Sequence, residues 1–290
     1  MDTGQREWRE LDAVARRVNV RIADAVNRLL DSTAPLYQPD ARKQPSAIGS
    51  GVFFRIREHR FLVSAAHVCD RASPHYPISA GTVRSIEDLG FRWRSPRMDA
   101  PLASGREDIA VFELGPMEAD GYDSTPFLTL DDFDPYPPSE EECSRSSYLV
   151  IGYPRTLQPR QATGATLQPV PRPLVTMSRN FAEYPALGIA PDTHLLLSYD
   201  RRGFHSLGPS QEEPDPHGMS GGGVWRLDGL GSSGTITTKL VGILIEYHAR
   251  APSSLVATRV NALLGALRKV RPDLKPLIDI HFPFAKPDAA

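Results

Sequence analysis

Short apolar segments that end at turn residues recur through most of this 290-residue chain. Each is rich in Val, Ile, Leu or aromatic residues and too short for an ordinary helix, which is typical of β-strands. The 27 prolines are about twice ordinary usage, and they suit connecting loops better than long helices. The pattern therefore predicts an all-β barrel or sandwich. The predicted strands are Gly51–Ile56, Arg60–Ala65, Ile109–Leu114, Tyr148–Gly152, His194–Ser198, Gly222–Leu227 and Leu240–Tyr247.

Amphipathic segments flank these strands on both sides. Apolar residues recur at three- and four-residue steps over residues 8–30, which predicts a helix that ends near Asp31. This helix either packs on its own domain or docks a regulatory partner. Residues 33–47 are predicted to be a Pro-rich linker, and residues 156–191 extended loops. A second helix is predicted around residues 256–267.

Composition and charge exclude several classes of protein. The formal net charge of −2 gives no general attraction to nucleic acid or anionic lipid. No run approaches the ~18 apolar residues of a membrane span, and the first ten residues lack an apolar signal region. We therefore expect a cytoplasmic protein with no nucleic-acid or membrane partner.

The cysteines and histidines give no sign of a metal centre. Cys69 and Cys143 are expected to be free thiols, with a single disulfide between them as the alternative. The eight histidines do not complete a ligand set at zinc-binding spacing. No metal and no organic cofactor is predicted.

Two local motifs carry an acid and a base. The segment LVSAAHV runs from a strand into two alanines and His67, and a general base needs such space beside its ring. The segment EDIAVFEL places an acid directly before a strand, where it can fix an imidazole tautomer. Asp108 is preferred to Glu107 because it adjoins the strand and is shorter, and Asp99 is a weaker alternative. Taken alone, each motif also fits an ordinary structural residue.

A third motif, HGMSGGGV at residues 217–224, is more specific. A nucleophilic serine needs a tight turn with backbone N–H groups directed at the developing oxyanion. Glycines on both sides of Ser220 permit that backbone geometry, and Gly218 and Ser220 would supply the N–H donors. A flexible loop is the alternative, although such a loop is rarely followed at once by a strand-like segment.

In the order His67, Asp108 and Ser220, the motifs AAHV, DIAV and GMSGGG resemble those of trypsin-like serine peptidases, chiefly the bacterial, disulfide-free branch. The resemblance spans roughly residues 48–270 and includes GSGVFF, GYP, LVGILIEY and ATRVNALLGAL. It implies a chymotrypsin-like fold of two antiparallel six-stranded β-barrels, with an N-terminal helical extension and a C-terminal helix.

The predicted helices and the range of this resemblance together predict the organisation of the chain. The N-terminal helix and linker would occupy residues 1–47, and the first barrel residues 48–135. The second barrel would occupy residues 136–255, followed by the C-terminal helix at 256–272 and a tail at 273–290. The active site would lie in the cleft between the barrels.

The implied activity is hydrolysis of peptide bonds in a protein or peptide substrate through an acyl-enzyme. Ser220 would attack, His67 would transfer the proton, and Asp108 would orient His67. The amides of Gly218 and Ser220 would bind the oxyanion. An esterase with the same triad is an alternative.

The substrate pocket is less sharply defined by the sequence. Asp215 or Glu246 would favour Arg or Lys substrates, unless both acids are solvated rim residues. Tyr247 stands where many relatives keep a small residue, which predicts a shallow pocket. The predicted pocket residues are Asp215, His217, Ile245, Glu246 and Tyr247.

One position departs from the family pattern. Zymogen-activated relatives carry an aspartate before the serine, which pairs with a newly cut N-terminus, whereas this chain carries Met219. We therefore expect no activation by N-terminal trimming. The oxyanion loop is expected to be held by other contacts or to become ordered only when a substrate or partner binds. We also expect the enzyme to act on a specific protein and to be regulated through its N-terminal helix. The alternative is a peptidase-fold binding or regulatory module with catalysis off.

Overall fold

The computed structural model describes most of the chain between residues 18 and 283. The side chains of Pro39, Pro45 and the short strands between residues 75 and 94 are outside this description. The described ranges are 18–39, 41, 45–70, 75–79, 82–85, 92–94, 107–114, 126–158, 169–199, 215–232, 234–250 and 252–283.

Strands dominate the described residues, and the helices are short. The helices are α1, described over residues 18–30, α2 (Ala66–Cys69), α3 (Glu140–Arg145), α4 (Val260–Val270) and α5 (Lys275–His281). The strands are β1 (Thr33–Pro39), β2 (Pro45–Ile56), β3 (His59–Ala65), β4 (His75–Ser79), β5 (Thr82–Ser85), β6 (Arg92–Arg94), β7 (Ile109–Leu114), β8 (Ser147–Gly152), β9 (Arg172–Met177), β10 (His194–Ser198), β11 (Gly223–Asp228), β12 (Thr237–His248) and β13 (Ser254–Arg259).

The strands form two antiparallel sheets. The first has the order β5-β4-β1-β2-β3-β7-β6, and the second has the order β10-β13-β12-β11-β8-β9. The prediction of an all-β, chymotrypsin-like architecture with two β units is confirmed. The first sheet differs in detail, because seven described strands pair in it where six were expected.

The two sheets pack on a shared hydrophobic core. Side chains alternate between the two faces of a strand, so one face of each strand can join this core. Along β2, Val52 and Phe54 join one buried cluster, whereas Phe53 between them joins another. The cluster that holds Val52 also contains Leu149 of β8 and Trp225 of β11. The inner faces of both sheets therefore pack together, and the strand ends that meet at this junction build the site.

The N-terminal region belongs to this core. The apolar stripe of α1 is buried, with Ala25 and Leu29 in the cluster shared by both sheets. Arg21 also donates to the carbonyls of Ser232 and Gly229 at 2.7 and 2.9 Å. The described part of the helix therefore packs on its own domain, and its predicted residues 8–17 lie outside the described range.

Several boundaries differ from the predicted organisation. Residues 33–39 form β1 rather than a Pro-rich linker, so the first sheet begins before residue 48. Residues 254–259 form β13, which pairs with β10 and β12, and the C-terminal helix begins only at Val260. The predicted tail contains α5, anchored by the fully buried Ile278. The predicted loops at 156–191 include β9.

Two further predictions concern helices and thiols. Among the described residues, none of the helices has the length and apolar character needed to cross a bilayer. Cys69 and Cys143 are both buried, and neither takes part in a disulfide.

Candidate active site

The pairing of β3 with β7 brings His67 and Asp108 together. Ala65 lies opposite Ile109 at the end of this antiparallel pair. The next residue on each strand is therefore Ala66 on one side and Asp108 on the other, and the Ala66 N–H donates to the Asp108 carbonyl at 2.8 Å. The chain turns into α2 at this point and places His67 against the Asp108 carboxylate.

The histidine and the aspartate make two hydrogen bonds. The His67 ring nitrogen Nδ1 lies 2.6 Å from Asp108 Oδ2, and the His67 backbone N–H donates to Oδ1 at 2.9 Å. A carboxylate bound on both oxygens cannot rotate freely, so it fixes the ring and favours the tautomer with the proton on Nδ1. The His67 side chain is 43% exposed and that of Asp108 is 28% exposed, so the ring has access to solvent on its other edge.

Backbone geometry and burial support this pair. Asp108 has a φ of 42°, a left-handed conformation that aspartate tolerates better than most residues. The preceding carbonyl, that of Glu107, accepts a hydrogen bond from Thr258 of β13.

Burial raises the pKa of the Glu107 carboxyl above its usual value. Glu107 itself makes no described contact with His67, so Asp108 is the acid at the histidine.

The Gly-rich loop, residues 217–222, docks on the first sheet. Its Ser220 carbonyl accepts a hydrogen bond from the Ser50 N–H of β2 at 2.7 Å. Gly221 has a φ of 89°, and a Cβ at this position would lie 2.0 Å from the Ser50 carbonyl oxygen. Only glycine allows this conformation and this close approach of two backbones.

Two N–H groups of the Gly-rich loop have no hydrogen-bond acceptor among the residues that the structure describes. The His217 carbonyl accepts from the Arg155 N–H at 2.7 Å, so the Gly218 N–H of the same trans peptide points the opposite way. Likewise, the Met219 carbonyl accepts from the Gly222 N–H at 2.8 Å, and this turns the Ser220 N–H outward. Neither Gly218 nor Ser220 donates its N–H to any residue that the structure describes. Unpartnered backbone N–H groups of this kind are the donors that can bind an anionic oxygen.

Ser220 lies beside the segment that carries His67. A Cβ on Gly49 would lie 2.3 Å from Val68 Cγ1 and 3.1 Å from the Ser220 carbonyl oxygen, so both groups border the same small space. No hydrogen bond joins the Ser220 hydroxyl to the His67 ring in this structure. The structure thus brings His67 and Asp108 into direct contact and places the Ser220 backbone near Val68, the residue that follows His67.

The predicted pocket residues occupy different environments. Ile245 is buried in the cluster of Ala65 and Val68, beside α2. The Tyr247 ring lies 6.3 Å from His217 and 5.3 Å from Tyr199, measured between ring centroids.

Both predicted pocket acids face a histidine two residues along the chain. Asp215 bonds both the backbone N–H and the ring of His217, and Glu246 lies 3.6 Å from His248. These partly exposed pairs favour the interpretation of the two acids as solvated rim residues. The weaker alternative acid, Asp99, lies outside the described residues.

Met219 is buried against the second sheet. Its side chain is 1% exposed and belongs to the cluster of Val150 and Val224. A Cβ on Gly152 would lie 2.8 Å from the Met219 Cβ, so the two segments are in close contact. An apolar, buried side chain thus precedes Ser220.

Sequence reasoning missed the residue that fastens the Gly-rich loop. Ser50 was seen only as part of the strand GSGVFF, yet it contacts both Gly218 and Ser220. The available signal was a small polar residue between two glycines in an otherwise apolar strand.

Known proteins resemble this chain in structure but not in sequence. No protein-family model matches it, and no curated protein sequence matches it. Two solved structures of kallikrein-related peptidase 10, one of them a complex with Zn²⁺, are 14% identical to this chain and superpose with a TM-score of 0.50. Each match covers 84% of this chain and 96% of the peptidase. The chain therefore has the fold of the chymotrypsin-like serine peptidases.

Proposed function

We propose that this protein is a serine endopeptidase in which Ser220, His67 and Asp108 form the catalytic triad. The observation that carries this proposal is the His67–Asp108 pair, at 2.6 Å, beside a loop whose Gly218 and Ser220 N–H groups have no described partner. A base with a fixed tautomer and two unpartnered donors next to one serine are the groups that acyl transfer requires.

The reaction follows from these positions. His67 Nε2 accepts the proton of the Ser220 hydroxyl while Oγ attacks the carbonyl carbon of the substrate. Charge develops on the carbonyl oxygen, which the N–H groups of Gly218 and Ser220 bind. The intermediate collapses to an acyl-enzyme as His67 protonates the leaving amine. Water then attacks the acyl group with His67 again as base, and collapse of this second intermediate breaks the ester bond as His67 returns the proton to Ser220 Oγ. Asp108 stabilises the imidazolium in both steps.

The one contact that this mechanism needs and the structure lacks is between Ser220 and His67. Both side chains are partly exposed. Catalytic hydrogen bonds are often long in the absence of substrate and tighten when it binds. We expect the Ser220 hydroxyl to reach the ring when a peptide occupies the site.

The proposed substrates are proteins or peptides with a small side chain before the scissile bond. The packing of Tyr247 against Tyr199 and His217 supports a shallow pocket, because aromatic rings occupy the space beside the loop. We also infer that the enzyme is regulated and acts on a dedicated protein in the cytoplasm. A regulatory partner at α1 would have to bind its exposed face, which carries Val20.

A peptide library measures this function directly. Wild-type protein should cleave its preferred peptides, and Ser220→Ala should lower the rate by at least about 10⁴-fold. Ser144→Ala removes an exposed hydroxyl elsewhere and should cleave as fast as wild type. Cleavage that survives in Ser220→Ala, or folded wild type that cleaves nothing, would refute the proposal.

A second candidate function is peptide binding without turnover. The missing hydrogen bond between Ser220 and His67 favours it, because an unconnected hydroxyl is a weak nucleophile. This candidate predicts saturable peptide binding by both wild type and Ser220→Ala, with no cleavage by either. Cleavage by wild type alone excludes it.

A further inference from the structure

Ser50 makes hydrogen bonds with every polar atom it has. It lies on β2 and is fully buried. Its N–H donates to the Ser220 carbonyl at 2.7 Å, and its own carbonyl accepts from the Ser64 hydroxyl at 2.7 Å. Its hydroxyl donates to the Gly218 carbonyl at 2.8 Å and accepts from the Tyr153 N–H at 2.9 Å.

These bonds hold the backbone of the Gly-rich loop on both sides of Met219. The bond from the Ser50 hydroxyl fixes the peptide that joins Gly218 to Met219, and the bond from its N–H fixes the peptide that joins Ser220 to Gly221. The Ser220 N–H, which has no described partner, belongs to the one peptide between these two, and the Gly218 N–H belongs to the peptide directly before them.

The Ser50 hydroxyl also links the loop to the segment after β8. Tyr153 donates its N–H to this hydroxyl, and Arg155, two residues later, donates its N–H to the His217 carbonyl. That second bond orients the Gly218 N–H. Gly218 has a φ of 98° and no side chain, so only such bonds prevent rotation of its flanking peptides.

We propose that Ser50 is a positioning residue that holds the oxyanion donors of Gly218 and Ser220 in their binding orientation before substrate arrives. This inference rests on the proposed function. This role of Ser50 would give the loop a fixed conformation in the absence of a salt bridge to a cut N-terminus. Met219 offers no carboxylate for such a salt bridge. Ser50 touches neither His67 nor Asp108 in the structure, so its effect should be confined to the oxyanion site.

The test is the rate at which a fluorophosphonate labels Ser220 in the full chain, measured across a range of pH. Ser50→Ala removes the hydroxyl. Ser32→Ala is the matched control, because Ser32 is equally buried and its hydroxyl also donates to a carbonyl at 2.8 Å, that of Leu29. Thermal unfolding of each variant reports on its folding.

Ser50→Ala should be labelled at least about tenfold more slowly than wild type, since loss of one oxyanion donor costs ~10²–10³-fold and a misplaced donor costs part of that. Ser32→Ala should be labelled within about twofold of wild type. The pH midpoint of labelling should be the same in Ser50→Ala as in wild type, because His67 keeps its partner. Ser50→Cys keeps a weaker donor at the same place, so its labelling rate should lie between those of wild type and Ser50→Ala. If Ser50→Ala does not fold, Ser50→Cys replaces it in the test.

Equal rates for Ser50→Ala and Ser32→Ala would overturn the role of Ser50. A shifted midpoint would do the same, because it would place the effect on His67. If Ser50→Ala does not fold, a Ser50→Cys rate equal to wild type overturns it. Wild-type protein that is not labelled at all overturns the proposed function and the Ser50 proposal together, whereas labelled wild type with equal variant rates overturns only the latter.

Discussion

Truncation of Leu29 to alanine should destabilise the whole domain, although this residue lies in the N-terminal extension. Leu29 is 6% exposed and belongs to the core cluster that contains Phe54 of the first sheet and Trp225 of the second. A buried Leu→Ala change costs ~2–5 kcal/mol, part for lost burial and part for the cavity left behind. Because Leu29 keeps a small exposed fraction, we expect about 2–4 kcal/mol.

Urea unfolding followed by circular dichroism measures this cost, and the melting temperature should fall by roughly 5–10 °C. Val20→Ala is the matched control on the same helix, since Val20 is 62% exposed and its truncation should change stability by less than ~0.5 kcal/mol. If Leu29→Ala and Val20→Ala unfold together at the wild-type midpoint, α1 is not part of the core, and its role as a separable docking helix regains support.

The remaining predictions concern the site and its surroundings. Asp108→Asn should slow labelling of the nucleophile by ~10⁴-fold with little change in melting temperature, since the amide favours the wrong tautomer of His67; a rate within tenfold of wild type would contradict the triad. Met219→Asp should destabilise the fold by on the order of 3–5 kcal/mol, because it leaves a buried carboxylate without a partner. Met177→Asp, at a site 50% exposed, should change stability by less than ~0.5 kcal/mol in the same melts. Because burial raises the pKa of Glu107, its contribution to stability is present below its usual pKa of 4.5 and is lost as the pH rises. Glu107→Gln should therefore become more stable relative to wild type as the pH increases above 4.5, and a constant difference in unfolding free energy would contradict this.

Strands with a clear apolar pattern could be predicted closely from the sequence. β7 and β10 begin and end where their apolar runs do, at Ile109–Leu114 and His194–Ser198. β1 was missed because Pro35 and Pro39 in the segment TAPLYQP normally mark a loop. Proline is tolerated here because Pro35 lies opposite Ser50, whose N–H bonds to Ser220 rather than to the ladder.

Other boundaries depend on pairing that the local sequence does not encode. Val256 continues the apolar spacing of α4, yet it lies in β13 because that strand pairs with both β10 and β12. In the candidate active site, too, the local sequence predicts the residues but not the contacts between them. The motifs singled out His67 and Asp108, but their contact depends on the register that sets Ala65 opposite Ile109. The bond between Ser50 and Gly218 joins residues 168 positions apart, a separation at which sequence periodicity carries no information.

The central claim is that Ser220 is an activated nucleophile, and the most direct measurement is the intact mass of the protein after treatment with a fluorophosphonate. Folded wild type should gain the mass of one adduct, and Ser220→Ala and His67→Ala should gain none. Wild type that stays unmodified, or an adduct that persists on Ser220→Ala, would contradict the account.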